Sequence, residues 1–189
     1  DSVRGAGHGA RLAPYPAGPL TGTARDSVWQ DIRRMIPTEA AVFQDTPWDN
    51  YTTMMIFSPT APGGSALEHQ SSHVGVYTTQ LIGNRILPSI TAHEMFHSWN
   101  VKRLRPADMW PYRYDQPLPT PWLWVSEGIT DYYADLTLVR GGIVDSTAFI
   151  ETTSGKIQNV DGSPPVALED ASLSTWVHPA DGTGYLYYP

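Results

Sequence analysis

The chain has 189 residues, with 12 Lys plus Arg against 19 Asp plus Glu for a net charge of −7, and 41% of it is hydrophobic, including 7 Trp and 10 Tyr. That is one domain's length with enough apolar surface to close a core, which excludes wholesale disorder. The acidic balance disfavours nucleic acid as a partner, and even the longest uninterrupted apolar runs, such as Met54 to Phe57, are far short of a membrane span.

With 0 Cys there is neither a disulfide framework nor a thiolate metal site, so a bound metal must use His and carboxylate. The 16 Gly and 17 Pro predict many loops between short elements. Residues 1–25 read as a lead-in. Asp1 to Ala10 holds no apolar signal-peptide core, and Gly5 to Thr23 keeps neither a period of 2 nor one of 3.6. Asp26 or Ser27 then caps a predicted helix whose stripe is Val28, Trp29, Ile32, Met35 and Ile36, ended by Pro37. Strand-like runs follow at Ala40 to Gln44, Tyr51 to Ser58 and His73 to Ile82, with turns at Thr46 to Asn50 and Ser58 to Gly64.

After Asn84 the period changes. Pro88 and Ser89 start a predicted helix carrying Ile90, Met95, Phe96 and Trp99 up to a stop at Arg105-Pro106. A Pro- and Tyr-rich loop runs from Pro106 to Thr120. Thr120-Pro121 then opens a long helix closed by Gly141-Gly142. Asp145 to Thr153 and Ala167 to Trp176 are weaker helical segments, and the chain has no internal repeat.

The chemistry sits on the two central helices. His93-Glu94-Met95-Phe96-His97 puts two imidazoles four residues apart, hence on one helix face and within reach of a single tetrahedral metal. Glu94 projects beside them, where a carboxylate can take a proton from a metal-activated water. This is the HExxH pattern of zinc peptidases, although a His pair around an apolar residue is also an ordinary half-buried helix face. Glu127, thirty positions after His97, can supply a third ligand. Asp131, one turn further, can accept a hydrogen bond from a ligand histidine and fix its tautomer. The bland alternative, a solvated acidic face, sits badly with the aromatic residues of Trp122 to Tyr133, because unpaired buried carboxylates are costly.

The run His93-Glu94-Met95-Phe96-His97-Ser98-Trp99-Asn100-Val101-Lys102-Arg103-Leu104-Arg105-Pro106 resembles the HExxHxWNVKRxRP signature of the glycyl aminopeptidase family of zinc metallopeptidases. Leu123 to Tyr133 is similar to the segment that carries that family's downstream ligand. Ala66-Leu67-Glu68-His69 is similar to its GGLEH segment, and Tyr187-Tyr188-Pro189 to its YYxKG segment. The likeness therefore covers roughly residues 26–189.

That resemblance implies an α+β, thermolysin-like catalytic domain over 26–189. It would consist of a small N-terminal β-sheet lobe at about 26–85 and a helical lobe at about 86–189, with one zinc between them held by His93, His97 and Glu127. It implies Glu94 as general base, Tyr188 as oxyanion donor and Glu68 as anchor for the substrate's α-ammonium group. The expected reaction is peptide hydrolysis, with release of small N-terminal residues such as Gly or Ala. A zinc endopeptidase and a zinc-containing peptide-binding domain without turnover are the alternatives.

Two features depart from the family pattern. Two extra residues separate Gly63-Gly64 from Leu67-Glu68-His69, and the chain stops at Pro189, before the expected Lys-Gly. A piece of a longer enzyme is expected, with a cell-envelope or secreted origin as the expected compartment. Several residues read as bystanders. His69 and His73 stand four apart across a polar, turn-like stretch, and His8 and His178 sit in loops without partners. Lys102, Arg103 and Arg105 are expected to complement a helix C-terminus. Trp122 and Trp124 are expected in the core, and Asn100 as the cap of its helix.

Overall fold

The computed structural model describes residues 2–5, 8–177 and 184–189, with side chains from His8 onward; His178 lies outside the described residues. It has the expected α+β architecture. One five-stranded sheet, in the order β1-β2-β3-β5-β4, is covered on one face by helices. The strands are β1 (Ser2–Gly5), β2 (His8–Tyr15), β3 (Asn50–Phe57), β4 (Gly64–Glu68) and β5 (Ser72–Tyr77). The sheet is mixed: β2 pairs parallel with β3, and β3 with β5, while β1 and β4 run antiparallel at the two edges.

Strand alternation explains which face is covered. Tyr51, Thr53, Met55 and Phe57 of β3 and His73, Gly75 and Tyr77 of β5 are buried, whereas Val76 and Leu67 are exposed on the other residues of the period. The lead-in expected over residues 1–25 is therefore corrected, since it contains both β1 and β2. Strand β2 carries only Ala10 and Leu12 as buried apolar side chains, too small and sparse to give a readable period of 2. The edge strand β4 starts at the last residue of the predicted turn Ser58 to Gly64, in a stretch where no strand was expected.

The connection from β2 to the parallel β3 is α1 (Gly22–Phe43), capped by Thr21 instead of Asp26 or Ser27. It runs straight through Pro37 and absorbs the strand expected at Ala40 to Gln44. A proline removes a single backbone hydrogen bond, and Pro37 lies on the exposed side, where solvent can meet the loss. Ile32, Met35 and Glu39 form the buried side, and Phe43 prolongs the stripe by stacking on Trp99 with ring centres 5.4 Å apart. Burial of that stripe outweighs the local β propensity of Val42 and Phe43.

The central helix α2 (Ile86–Phe96) is buried all round in its second half, with Thr91, Ala92, His93, Glu94, Met95 and Phe96 all buried, and Leu87 buried in its first turn. It ends at Phe96, well before the Pro106 stop, in a run of turns from His97 to Arg103. The second long helix is composite: a π-helical turn, Trp124–Gly128, leads into α3 (Ile129–Arg140). Asp145 caps α4 (Ser146–Asp161) by accepting from the Ala148 N–H at 2.8 Å, and α5 (Leu168–Ser174) follows. No helix among the described residues is long and apolar enough to cross a membrane.

Candidate active site

His93 occupies the last turn of α2, and His97 follows directly as its C-terminal cap residue, its N–H still bonded to the His93 carbonyl at 3.3 Å. Helical spacing thus brings the two imidazoles together, ring centres 4.6 Å apart. The π turn presents Glu127 to them from the neighbouring element. The three donor atoms form a small triangle. His93 Nε2 lies 3.0 Å from His97 Nε2 and 3.0 Å from Glu127 Oε2, and His97 Nε2 lies 3.4 Å from the same carboxylate oxygen.

Those edges match a metal site. Ligand bonds of about 2.0–2.1 Å at tetrahedral angles place ligand atoms about 3.3 Å apart. The tautomers agree. His97 Nδ1 donates to the Asn100 carbonyl at 2.7 Å, and His93 Nδ1 faces Asp131 Oδ1 at 3.7 Å, which leaves both Nε2 lone pairs aimed into the triangle. Two such lone pairs at 3.0 Å repel unless a cation or a proton sits between them. Three protein ligands leave a fourth position for water or substrate, the pattern of a catalytic rather than a structural ion. The residues present therefore fit a zinc-type cation.

Charge follows the same geometry. Burial disfavours the His93 cation, yet Asp131 and Glu127 outweigh it and raise His93 to about 10 without a metal. Burial also works against the Glu127 carboxylate, but the two histidines hold it well below its ordinary range. Glu94 is pushed up to about 7 by burial, which prevails over the pull of His97 and His93. One of its oxygens, Oε2, is buried without a protein partner. A carboxyl group poised near neutrality beside the ligand triangle suits proton transfer.

Glu68, at the end of β4, reaches the same place: one of its oxygens lies within 4.8 Å of donor atoms of both Glu94 and His97. The two extra residues before it are taken up by the strand. Its carboxylate is paired with Lys102 Nζ at 3.1 Å. Tyr188 completes the opposite wall, its ring centre 5.9 Å from that of His93. Burial and the Glu127 charge raise its pKa, so its hydroxyl stays protonated and able to donate. Together with Gly64, Ser65, Ala66, Ser89, Ile90, His93, Glu94 and Asp131, Tyr188 lines a cleft of about 290 Å³. Tyr187 points elsewhere, bonding the Thr175 hydroxyl at 3.1 Å.

Asp131 is held more elaborately than its spacing indicated. Besides facing His93 it contacts Lys156 Nζ, which also binds Asp135 at 2.6 Å. Lys156 comes from α4, and no motif marks it. Asn100 is not a helix cap: its carboxamide reaches Val125, Ser126 and Thr130 on the second element.

Other expectations need correction. Because α2 stops at Phe96, the basic cluster cannot sit on its last turn. Lys102 pairs with Glu68, Arg103 binds the Pro47 carbonyl, and Arg105 lies over the rings of Trp110 and Tyr112. Trp122 precedes the π turn and is 43% exposed, lining an apolar cleft with Phe43, Leu104 and Tyr133 instead of joining the core. His8 has a partner in the Trp48 carbonyl, and buried His73 bonds the Tyr51 hydroxyl at 2.9 Å, with no metal-type cluster around it among the described residues.

Comparison defines the class of fold first. The crystal structure of an aminopeptidase N family protein from Idiomarina loihiensis superposes with a TM-score of 0.85 at 21% identity, over all of this chain and 34% of that one. The chain thus spans about a third of that protein's length. A search of curated proteins returned no match. The model of the M61 glycyl aminopeptidase family matches residues 87–186, more than half of the chain, from α2 to just before Tyr187. The chain belongs to the M61 glycyl aminopeptidase family.

Proposed function

We propose that this chain is the catalytic core of a zinc-dependent aminopeptidase that hydrolyses peptide bonds and releases small N-terminal residues such as Gly or Ala. The observation that carries this reading is the ligand triangle of His93, His97 and Glu127 with the buried, unpartnered oxygen of Glu94 beside it. His93, His97 and Glu127 would hold the zinc, which would supply Lewis-acid polarisation of the scissile carbonyl and a more acidic attacking water. Glu94 takes that water's proton and delivers it to the leaving amine. Tyr188 donates its hydroxyl to the carbonyl oxygen as negative charge develops, an interaction strongest in the transition state. Asp131, backed by Lys156, orients His93.

Glu68 is the proposed receptor for the α-ammonium group, since it is a carboxylate within 4.8 Å of the Glu94 and His97 donor atoms. Family membership supports peptidase chemistry, and a preference for Gly or Ala rests on that membership alone. The test is zinc content by elemental analysis together with hydrolysis of Gly- and Ala-anilides before and after chelation, with N-acetylated peptides as comparators. About one zinc per chain and chelator-sensitive release from free-amine substrates only is the expected result. Equal cleavage of acetylated peptides would make the protein an endopeptidase and remove the role of Glu68. Absence of zinc would end the ligand assignment.

A further inference from the structure

We propose that Asn100 is a positioning residue of the metal centre: it ties the turn carrying His97 to the turn carrying Glu127, so that ligands from two separate elements are held in register. This rests on the reading of His93, His97 and Glu127 as ligands. Asn100 is 6% exposed and stands three residues after His97. Its backbone carbonyl accepts from His97 Nδ1 at 2.7 Å, which orients one ligand. Its carboxamide nitrogen turns to the other element, donating to the Val125 carbonyl at 2.8 Å and to Thr130 Oγ1 at 3.0 Å. Thr130 Oγ1 passes the connection on to the Ser126 carbonyl at 2.7 Å.

Donors and acceptors balance. The two N–H groups of the amide face the Val125 carbonyl and Thr130 Oγ1, with the Ser126 carbonyl a longer third acceptor at 3.4 Å, and the Thr130 hydroxyl, having accepted one, donates its single proton to Ser126, nearer than the Asn100 carbonyl at 3.3 Å. The carbonyls so held belong to the two residues immediately before Glu127, inside the π turn, and the direction of the Glu127 carboxylate follows from theirs. Ser126 and Thr130 are 2% and 0% exposed, so bulk water cannot stand in for the amide. No other residue type does the same work here. Asp would set an acceptor against the Val125 carbonyl, and Ala would remove the bonds to Val125 and Thr130 altogether.

The test uses the whole chain and measures zinc dissociation constants by competition with a fluorescent chelator. The proteins are wild type, Asn100→Ala, Thr130→Val, Thr130→Ser and the core control Met55→Ala, each at a temperature where circular dichroism shows it folded. Asn100→Ala and Thr130→Val are expected to bind zinc about 10–100-fold more weakly. Thr130→Ser, which keeps the hydroxyl, should stay near wild type, as should Met55→Ala despite its lower melting temperature. Cobalt in Asn100→Ala should show a shifted visible absorption band, reporting altered ligand geometry. Wild-type affinity in folded Asn100→Ala would overturn the proposal, and so would equal weakening in Met55→Ala, which would reduce the effect to general stability. Should Asn100→Ala fail to fold, the Thr130→Val and Thr130→Ser pair decides by the same criterion. Wild type without zinc affinity would instead strike the ligand assignment itself and this inference with it, an outcome distinguishable from either failure above.

Discussion

Glu94 and Glu39 are both buried carboxyl groups, and their surroundings give them opposite uses. Glu94 lies beside the ligand triangle with a pKa raised to about 7, whereas Glu39 of α1 is 0% exposed with neither oxygen bonded to protein. Glu94→Gln keeps the shape and removes the base. Peptidase turnover should fall by at least about 10²–10⁴-fold with zinc content unchanged, read by single-turnover hydrolysis and metal analysis. Loss of zinc along with activity would mean that Glu94 is structural. Burial raises the Glu39 pKa well above 4.5, so the folded protein binds its proton more tightly than the unfolded chain does. Stability from this group is thus full below about pH 4.5 and declines as pH rises towards the folded-state value. Glu39→Gln should abolish that decline, melting with wild type near pH 4.5 and above it near pH 8 by scanning calorimetry. A Gln variant less stable at both values would show that the carboxyl group is charged and paired. His93, His97, Glu94 and Glu127 were legible because helical periodicity alone brings the first three together and one downstream acid suffices. Lys156 and Glu39 were not, because the packing of α4 and α1 creates their roles and neither residue belongs to a local pattern.

The π turn shows what can be read at the level of elements. A long helix after Thr120 was legible from its start and stop signals, yet the widened turn at Trp124–Gly128 was not, because it is fixed by contacts with residues far away in sequence. Gly128 sits where that turn meets the terminal tyrosines. A Cβ there would lie 2.5 Å from the Tyr187 carbonyl, so Gly128→Ala must push the backbone beside Tyr188 away from Glu127. Turnover should drop by up to about 10²-fold, since the proposed oxyanion donor is displaced, while the zinc dissociation constant stays put. Unchanged kcat in this variant would argue that Tyr188 takes no part in catalysis. The β elements were the hardest to read. Strand β2 is short of large apolar residues, β4 is a short edge strand with only half-buried and exposed residues, and α1 overrode both a proline and a β-prone segment because its buried stripe runs on to Phe43.

At the scale of the molecule, the proposed zinc ligands bridge α2 and the π turn leading into α3, two elements that share the core with the sheet. Binding energy at that junction is stabilisation of the whole fold, because an ion bound only by the native state raises unfolding free energy by about 4 kcal/mol at a thousandfold excess over Kd. Chelation should therefore lower the melting temperature by roughly 10 °C for a chain of this length, and equal melting with and without chelator would deny the ion any link to the fold. The Lys102 ammonium already rests on Glu68 at 3.1 Å, so the carboxylate proposed to greet a peptide's amino terminus is not vacant. Docking is then an ion exchange, in which an arriving ammonium displaces a resident one and the local charge stays constant. Lys102→Met should drop the KM of free-amine peptides several-fold and leave acetylated ones untouched, read by paired Michaelis curves; a rise in KM would mean that the lysine holds Glu68 in place. On the proposed role of Glu68 the pair would act as a doorkeeper, admitting a peptide end only when its positive charge competes better than the protein's own.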